Sequence, residues 1–237
     1  MKTSAFSLRL VIGASLLGTA AFAQDPNMPP TGPTGSSTAA EGIHGLELGV
    51  RAGYGVPFGT SSENEKMSDA IKGMIAFWAD VGYRINSNWY LGGFFQFGLG
   101  LLPSNAQGCN VQGVSCSEND LRFGVNVHYH FLPDNSLDPW AGIGAGYEIL
   151  NFSASAQGTS ASASTSGFEF ANVQLGLDYK FSSAIGVGPF VTFTISQFSN
   201  ASASLNGQDV PGVSITNKAI HEWLIFGVRG VFDLSFD

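Results

Sequence analysis

Few residues of this 237-residue chain have the types and spacing that chemistry demands. His128 and His130 stand two apart, so on an extended strand they share a face, and two imidazoles on one face could begin a metal site. Spacing identifies no third ligand. Hydrogen bonding in the interior is the expected role, and no metal or other cofactor is expected. His221 and Glu222 occur together in a serine-rich chain, but that combination is too common to define a catalytic triad, and no enzyme activity is expected. Cys109 and Cys116 are the only cysteines. In an exported chain they are expected to form a disulfide, worth roughly 2–3 kcal/mol in the chain-entropy model. Two thiols fall short of a zinc site.

Export is written at the N-terminus. Lys2 and Arg9 precede the apolar stretch Leu10–Leu17, and Ala21-Phe22-Ala23 follows as a cleavage-type triplet. Residues 1–23 are therefore expected to be a secretory signal peptide. Residues 24–43 are rich in Pro, Gly, Ser and Thr, a composition that cannot bury enough surface to order itself, and are expected to form a flexible periplasmic segment. Removing the two signal cations takes the formal charge from −8 to about −10. Such an acidic chain without a basic patch is a poor partner for nucleic acid.

Only 12% of the residues are charged, against about 25% in soluble proteins, while 44% are hydrophobic. No apolar run of ~18 residues follows the signal, so the hydrophobicity must be spread by alternation. Eight stretches show it: 45–56, 73–85, 89–100, 120–132, 139–150, 168–181, 185–197 and 221–234. The fourth is the cleanest. Leu121, Phe123, Val125, Val127, Tyr129 and Phe131 alternate with Asp120, Arg122, Gly124, Asn126, His128 and His130. A helix would need apolar residues at i, i+3 and i+4, which these stretches do not show. Each can cross an outer membrane, which takes ~9–11 tilted residues. In lipid every backbone N–H and C=O must be paired, so the strands have to close. The fold expected for residues 44–237 is an all-β, eight-stranded, antiparallel up-and-down transmembrane barrel.

Connections after the second, fourth and sixth stretches are short, and those after the first, third, fifth and seventh run to about 17–23 residues, as periplasmic turns and extracellular loops do. Both termini are then periplasmic. Aromatic residues gather next to the short turns: Tyr83, Trp89, Tyr129, Phe131, Tyr179, Phe181 and Phe232. They are expected to form a periplasmic girdle. The third long loop (Asn151–Gly167) and the start of the fourth (Ser199–Ser204) are Ser/Ala runs with few charges, expected to be mobile.

Signal, eight strands, alternating turn lengths and the aromatic C-terminal segment Val231–Asp237 together resemble the small outer-membrane β-barrels of the OmpA transmembrane domain and OmpX type. In that family the last strand, usually ending in Phe or Trp, addresses the barrel-assembly machinery. Here Phe236 is followed by Asp237. The resemblance implies a Gram-negative outer membrane, with lipid and lipopolysaccharide as surroundings and the assembly machinery as partner during insertion. A monomer is expected.

The inward parity sets glycines against Trp78, Tyr90, Phe94, Trp140, Phe190 and Trp223, the small/large pairing that fills narrow barrels. It also carries Glu47, Arg51, Asp80, Arg84, Arg229 and Asp233, which closure puts on three neighbouring strands. Three are acidic and three basic, so a salt-bridged plug is expected rather than a charged ring lining an ion path. A non-enzymatic structural or surface barrel follows, with a narrow porin-like channel as the alternative.

Overall fold

Alternation of apolar and small or polar residues selects extended backbone, because side chains of a strand point to opposite faces with period two. The computed structural model describes residues 45–62, 65–103, 109 and 111–235. The expected signal peptide, the segment 24–43, and Phe236 and Asp237 lie outside them. Eight long strands make up the structure: β1 Gly45–Ser62, β2 Gly73–Arg84, β3 Trp89–Leu101, β4 Val114–His130, β5 Leu137–Ala156, β6 Thr159–Lys180, β7 Ile185–Leu205 and β8 Ile220–Ser235. Each pairs antiparallel with the next, and β8 pairs with β1 from Gly45↔Ser235 to Gly59↔His221. The sheet therefore closes into an eight-stranded up-and-down barrel, which leaves no edge to satisfy.

The long strands overrun the apolar stretches at one end, and here the structure corrects the sequence reading. The Ser/Ala runs expected to be mobile loops are paired strand. β5 and β6 extend the barrel wall and turn through Gln157-Gly158, whose φ values of 46° and 86° suit a two-residue hairpin turn. β7 ends in the same way at Asn206-Gly207 (φ 50° and 77°), before the two-residue strand Gln208–Asp209. Serine and alanine alternate over 153–156, 160–164 and 201–204, so paired neighbours meet like with like, as in the row Ser117, Ser153, Ser162 and Ser204.

The two ends of the wall differ in polarity. Along the apolar stretches the outward residues are bulky and exposed, for example Phe77, Val81, Phe95, Phe123, Val125 and Leu175, while the inward ones are polar and buried. Above Leu121 and Ile149 the pattern inverts. Asn119 and Asn151 bond each other at 3.0 Å, with the serine rows beyond them, while Leu150, Phe152 and Ala163 share the inward face with Glu118. Water rather than lipid outside dictates that inversion, so it marks the upper limit of the lipid-facing band.

Lumen packing relies on glycine where a large ring crosses. A Cβ on Gly176 would lie 2.4 Å from the Trp140 ring, and one on Gly92 would lie 2.1 Å from the Tyr90 hydroxyl. Trp140 is 1% exposed and Tyr90 0%, so small/large pairing fills the interior.

Candidate functional site: the lumen

The candidate site is the lumen itself, because closure buries the inward polar residues of all eight strands. Two ion-pair clusters occupy it. The first gathers the six charges expected on β1, β2 and β8. Arg51 donates from Nε and Nη2 to the two Asp80 oxygens at 2.7 and 3.0 Å, and from Nη1 to Gln174 Oε1 at 2.7 Å. Asn126 donates to the same Asp80 at 3.0 Å. Arg84 donates to Glu47 at 2.6 Å, with Asp233 3.6 Å away.

Arg229 does not join Arg51 at Asp80. Register places Arg51 and Arg229 directly opposite each other. Like charges so placed repel, and the two side chains take separate partners. Arg51 goes to Asp80, whereas Arg229 goes to Glu47 at 2.5 Å and to Asp178 on β6. Rings complete the packing. Arg51 lies 4.7 Å from the Trp78 centroid and 5.3 Å from that of Phe190, and Arg229 lies 4.8 Å from that of Trp140. Guanidinium planes stacked on rings gain cation–π attraction while staying dry.

The second cluster was not assembled from the sequence. Arg122 donates to Asp120 and Glu148 at 2.8 Å each, and to Glu169 at 3.3 Å. His221 donates to Glu148 at 3.0 Å and stacks on Phe198 at 4.1 Å. Inward parity alone could have found Asp120, Arg122 and Glu148. Glu169 and His221 needed the bulges and the closure that bring β6 and β8 alongside. Gln174 bonds Asn172, and Asn172 bonds Glu169, so one polar chain joins the two clusters along the lumen. His221 and Glu222 cannot act together, since neighbours on a strand face opposite sides: His221 is buried inside and Glu222 pairs outside with Phe58.

His128 and His130 gain a third potential ligand that spacing could not supply. Glu47 brings a carboxylate oxygen, and the three ligand atoms lie within 4.8 Å of one another. Both Glu47 oxygens are already held by guanidinium groups. His130 bonds Asp138 at 2.9 Å, and His128 is sandwiched between Tyr90 and Trp140 at 4.7 and 4.8 Å. A divalent cation there would face Arg84 and Arg229 at close range, so the donor set does not fit a metal.

Cys109, in the connection between β3 and β4, is bonded to Cys116 near the start of β4, with Cα atoms 5.7 Å apart. The seven girdle aromatics all lie at the short-turn end and face outward. Trp89 packs on Tyr129 at 4.9 Å, Tyr129 on Phe131 at 5.1 Å and Tyr179 on Phe181 at 5.0 Å, while Tyr83 and Phe232 stand exposed on β2 and β8. A second aromatic group that the sequence reading did not single out lies at the upper limit of the band, where Tyr147 packs on Phe123 and Phe168.

Over residues 11–212 the sequence matches the family described as outer membrane protein beta-barrel domain. No curated protein matches the chain. Similar solved structures include Neisserial surface protein A, at 14% identity over 80% of this chain and 97% of that one, with a TM-score of 0.49. Ail of Yersinia pestis is 12% identical over 81% and 99%, TM-score 0.41. OprG of Pseudomonas aeruginosa is 14% identical over 82% and 99%, TM-score 0.43.

Proposed function

The chain belongs to the outer membrane protein beta-barrel domain family, and on that premise we propose that it is a non-enzymatic surface barrel whose lumen is closed by an ion-paired plug. One observation carries the reading. The lumen side chains Arg51, Asp80, Arg122, Arg229, Glu47 and Trp140 are each at most 3% exposed and are tied to one another or to neighbouring strands. Ions cross a pore only where water or weak, exchangeable ligands replace their hydration shells. Here the guanidinium groups are held by carboxylates of neighbouring strands and the gaps are filled by rings. The task then rests on the outer surface, as a structural or adhesive element of the envelope.

In this reading the short turns and both termini are periplasmic and the extended Ser/Ala walls stand outside the cell. Lipid and lipopolysaccharide surround a monomer, and the barrel-assembly machinery is its partner during insertion. Planar-bilayer recording of the purified barrel tests the plug. No steady conductance is expected, and stable openings of the wild-type protein would replace the plug with a channel.

A further inference from the structure

The second ion-pair cluster is unbalanced. Among the described residues three carboxyl groups, Asp120, Glu148 and Glu169, share one guanidinium, Arg122, with His221 on Glu148, and Glu118 adds a fourth carboxyl two residues above Asp120 on the same face. Glu118 is 6% exposed and its Oε1 has no hydrogen-bond partner. Two residues further down the same face, Asp120 Oδ1 also lacks one. Leaving buried acceptors unmet is costly, and an unpaired buried carboxylate more so.

Glu118 lines a cavity of about 680 Å³ at the long-loop end, within the size range of small-molecule sites. The wall is mostly apolar. Met67, Ile71, Leu102, Leu150, Phe152 and Phe198 line it, Asp69 stands at it, and among the described residues no Lys or Arg does. The cup lies where the barrel wall has turned its apolar side inward, above the lipid-facing band. An apolar cup over an acidic floor is complementary to one kind of molecule.

We propose that this cup binds an amphipathic organic cation, an alkyl or aryl ammonium whose N–H groups donate to Glu118 while its apolar body lies against Leu150, Phe152 and Phe198. The ammonium supplies the donor and the positive charge the floor lacks. The two phenyl faces offer cation–π contact beside it. A bare divalent cation would leave the apolar wall without a role. This inference stands apart from the plug, since the cup lies above it and needs no path through the membrane.

Hexylammonium, hexanol, hexanoate and calcium ions, each titrated calorimetrically into the barrel in nanodiscs at about pH 9, where the Glu118 carboxylate and the alkylammonium are both charged, decide it. Empty nanodiscs correct for partitioning. Hexylammonium is expected to bind saturably, with hexanol roughly ten- to hundredfold weaker, the range of one charge-assisted hydrogen bond, and hexanoate weaker still. Glu118→Gln should weaken hexylammonium by the same factor while the barrel keeps its folded gel mobility. Hexanol binding as tightly as hexylammonium, or calcium binding in its place, overturns the proposal. That ligand series uses wild-type protein, so it decides even if the variant fails to fold. Unchanged hexylammonium affinity in a folded Glu118→Gln barrel also overturns it.

Discussion

Replacing Asp80 by alanine is the most direct test of the plug. Asp80 is 1% exposed and accepts three hydrogen bonds, two from Arg51 and one from Asn126. Its removal leaves Arg51 with Gln174 as its remaining hydrogen-bond acceptor and with its aromatic neighbours. Removing one partner of a buried ion pair typically costs about 3–5 kcal/mol, because the survivor stays desolvated and uncompensated. With a urea dependence of about 1–3 kcal/mol per molar, the unfolding midpoint should fall by about 1 M or more. The assay is a urea titration read by gel mobility and tryptophan fluorescence. Asp80→Asn, which keeps the volume and one acceptor oxygen, should lose less than Asp80→Ala. Asp134→Ala, in an exposed turn, should change nothing measurable. An Asp80→Ala midpoint within experimental error of wild type, with no new conductance, would mean that Arg51 is held by its rings and by water, and the ion-pair argument would fail.

Val125 is 62% exposed on the lipid face, between the upper limit of the band and the aromatic girdle, and Val125→Arg should cost roughly 2–4 kcal/mol, seen as reduced folded yield in lipid vesicles. Free insertion would place residue 125 inside the barrel. Arg122→Ala should also destabilise, since it strips three carboxyl groups of their guanidinium; a neutral result would dissolve the second cluster. Cys109→Ser should leave barrel assembly and heat-modifiable mobility intact, because the bridge closes only a seven-position loop from the β3–β4 connection onto the upper end of β4; failure to assemble would give it a wider role. Glu118 lies above the lipid-facing band, where burial, and then the nearby Asp120, push its pKa from 4.5 to about 8. The folded state holds that proton more tightly than the unfolded chain. Its stabilising contribution is therefore full below about pH 4.5 and is lost as pH rises towards 8. Glu118→Gln should flatten that part of the stability profile, and an unchanged slope would contradict the assignment.

Alternation in the sequence is enough to determine the strands, the number eight and the need for closure, because period-two hydrophobicity without apolar runs admits no other way of meeting lipid. It also determines which residues face inward, so the plug charges on β1, β2 and β8 were legible from parity alone. Partners within the lumen were not. Which carboxylate meets Arg229 depends on stagger and on repulsion from Arg51 across the strand pair, and both arise only when β8 closes on β1. Glu47 joins His128 and His130 for the same reason: the three are distant in sequence and meet across the barrel. The Ser/Ala runs misled because their composition is that of a loop, although Asn206-Gly207 carried a hairpin signal. Their order comes from neighbouring strands that offer a ladder. The apolar cup above the acidic floor likewise exists only in the tertiary structure, since it is made by the wall turning its apolar face inward once lipid gives way to water.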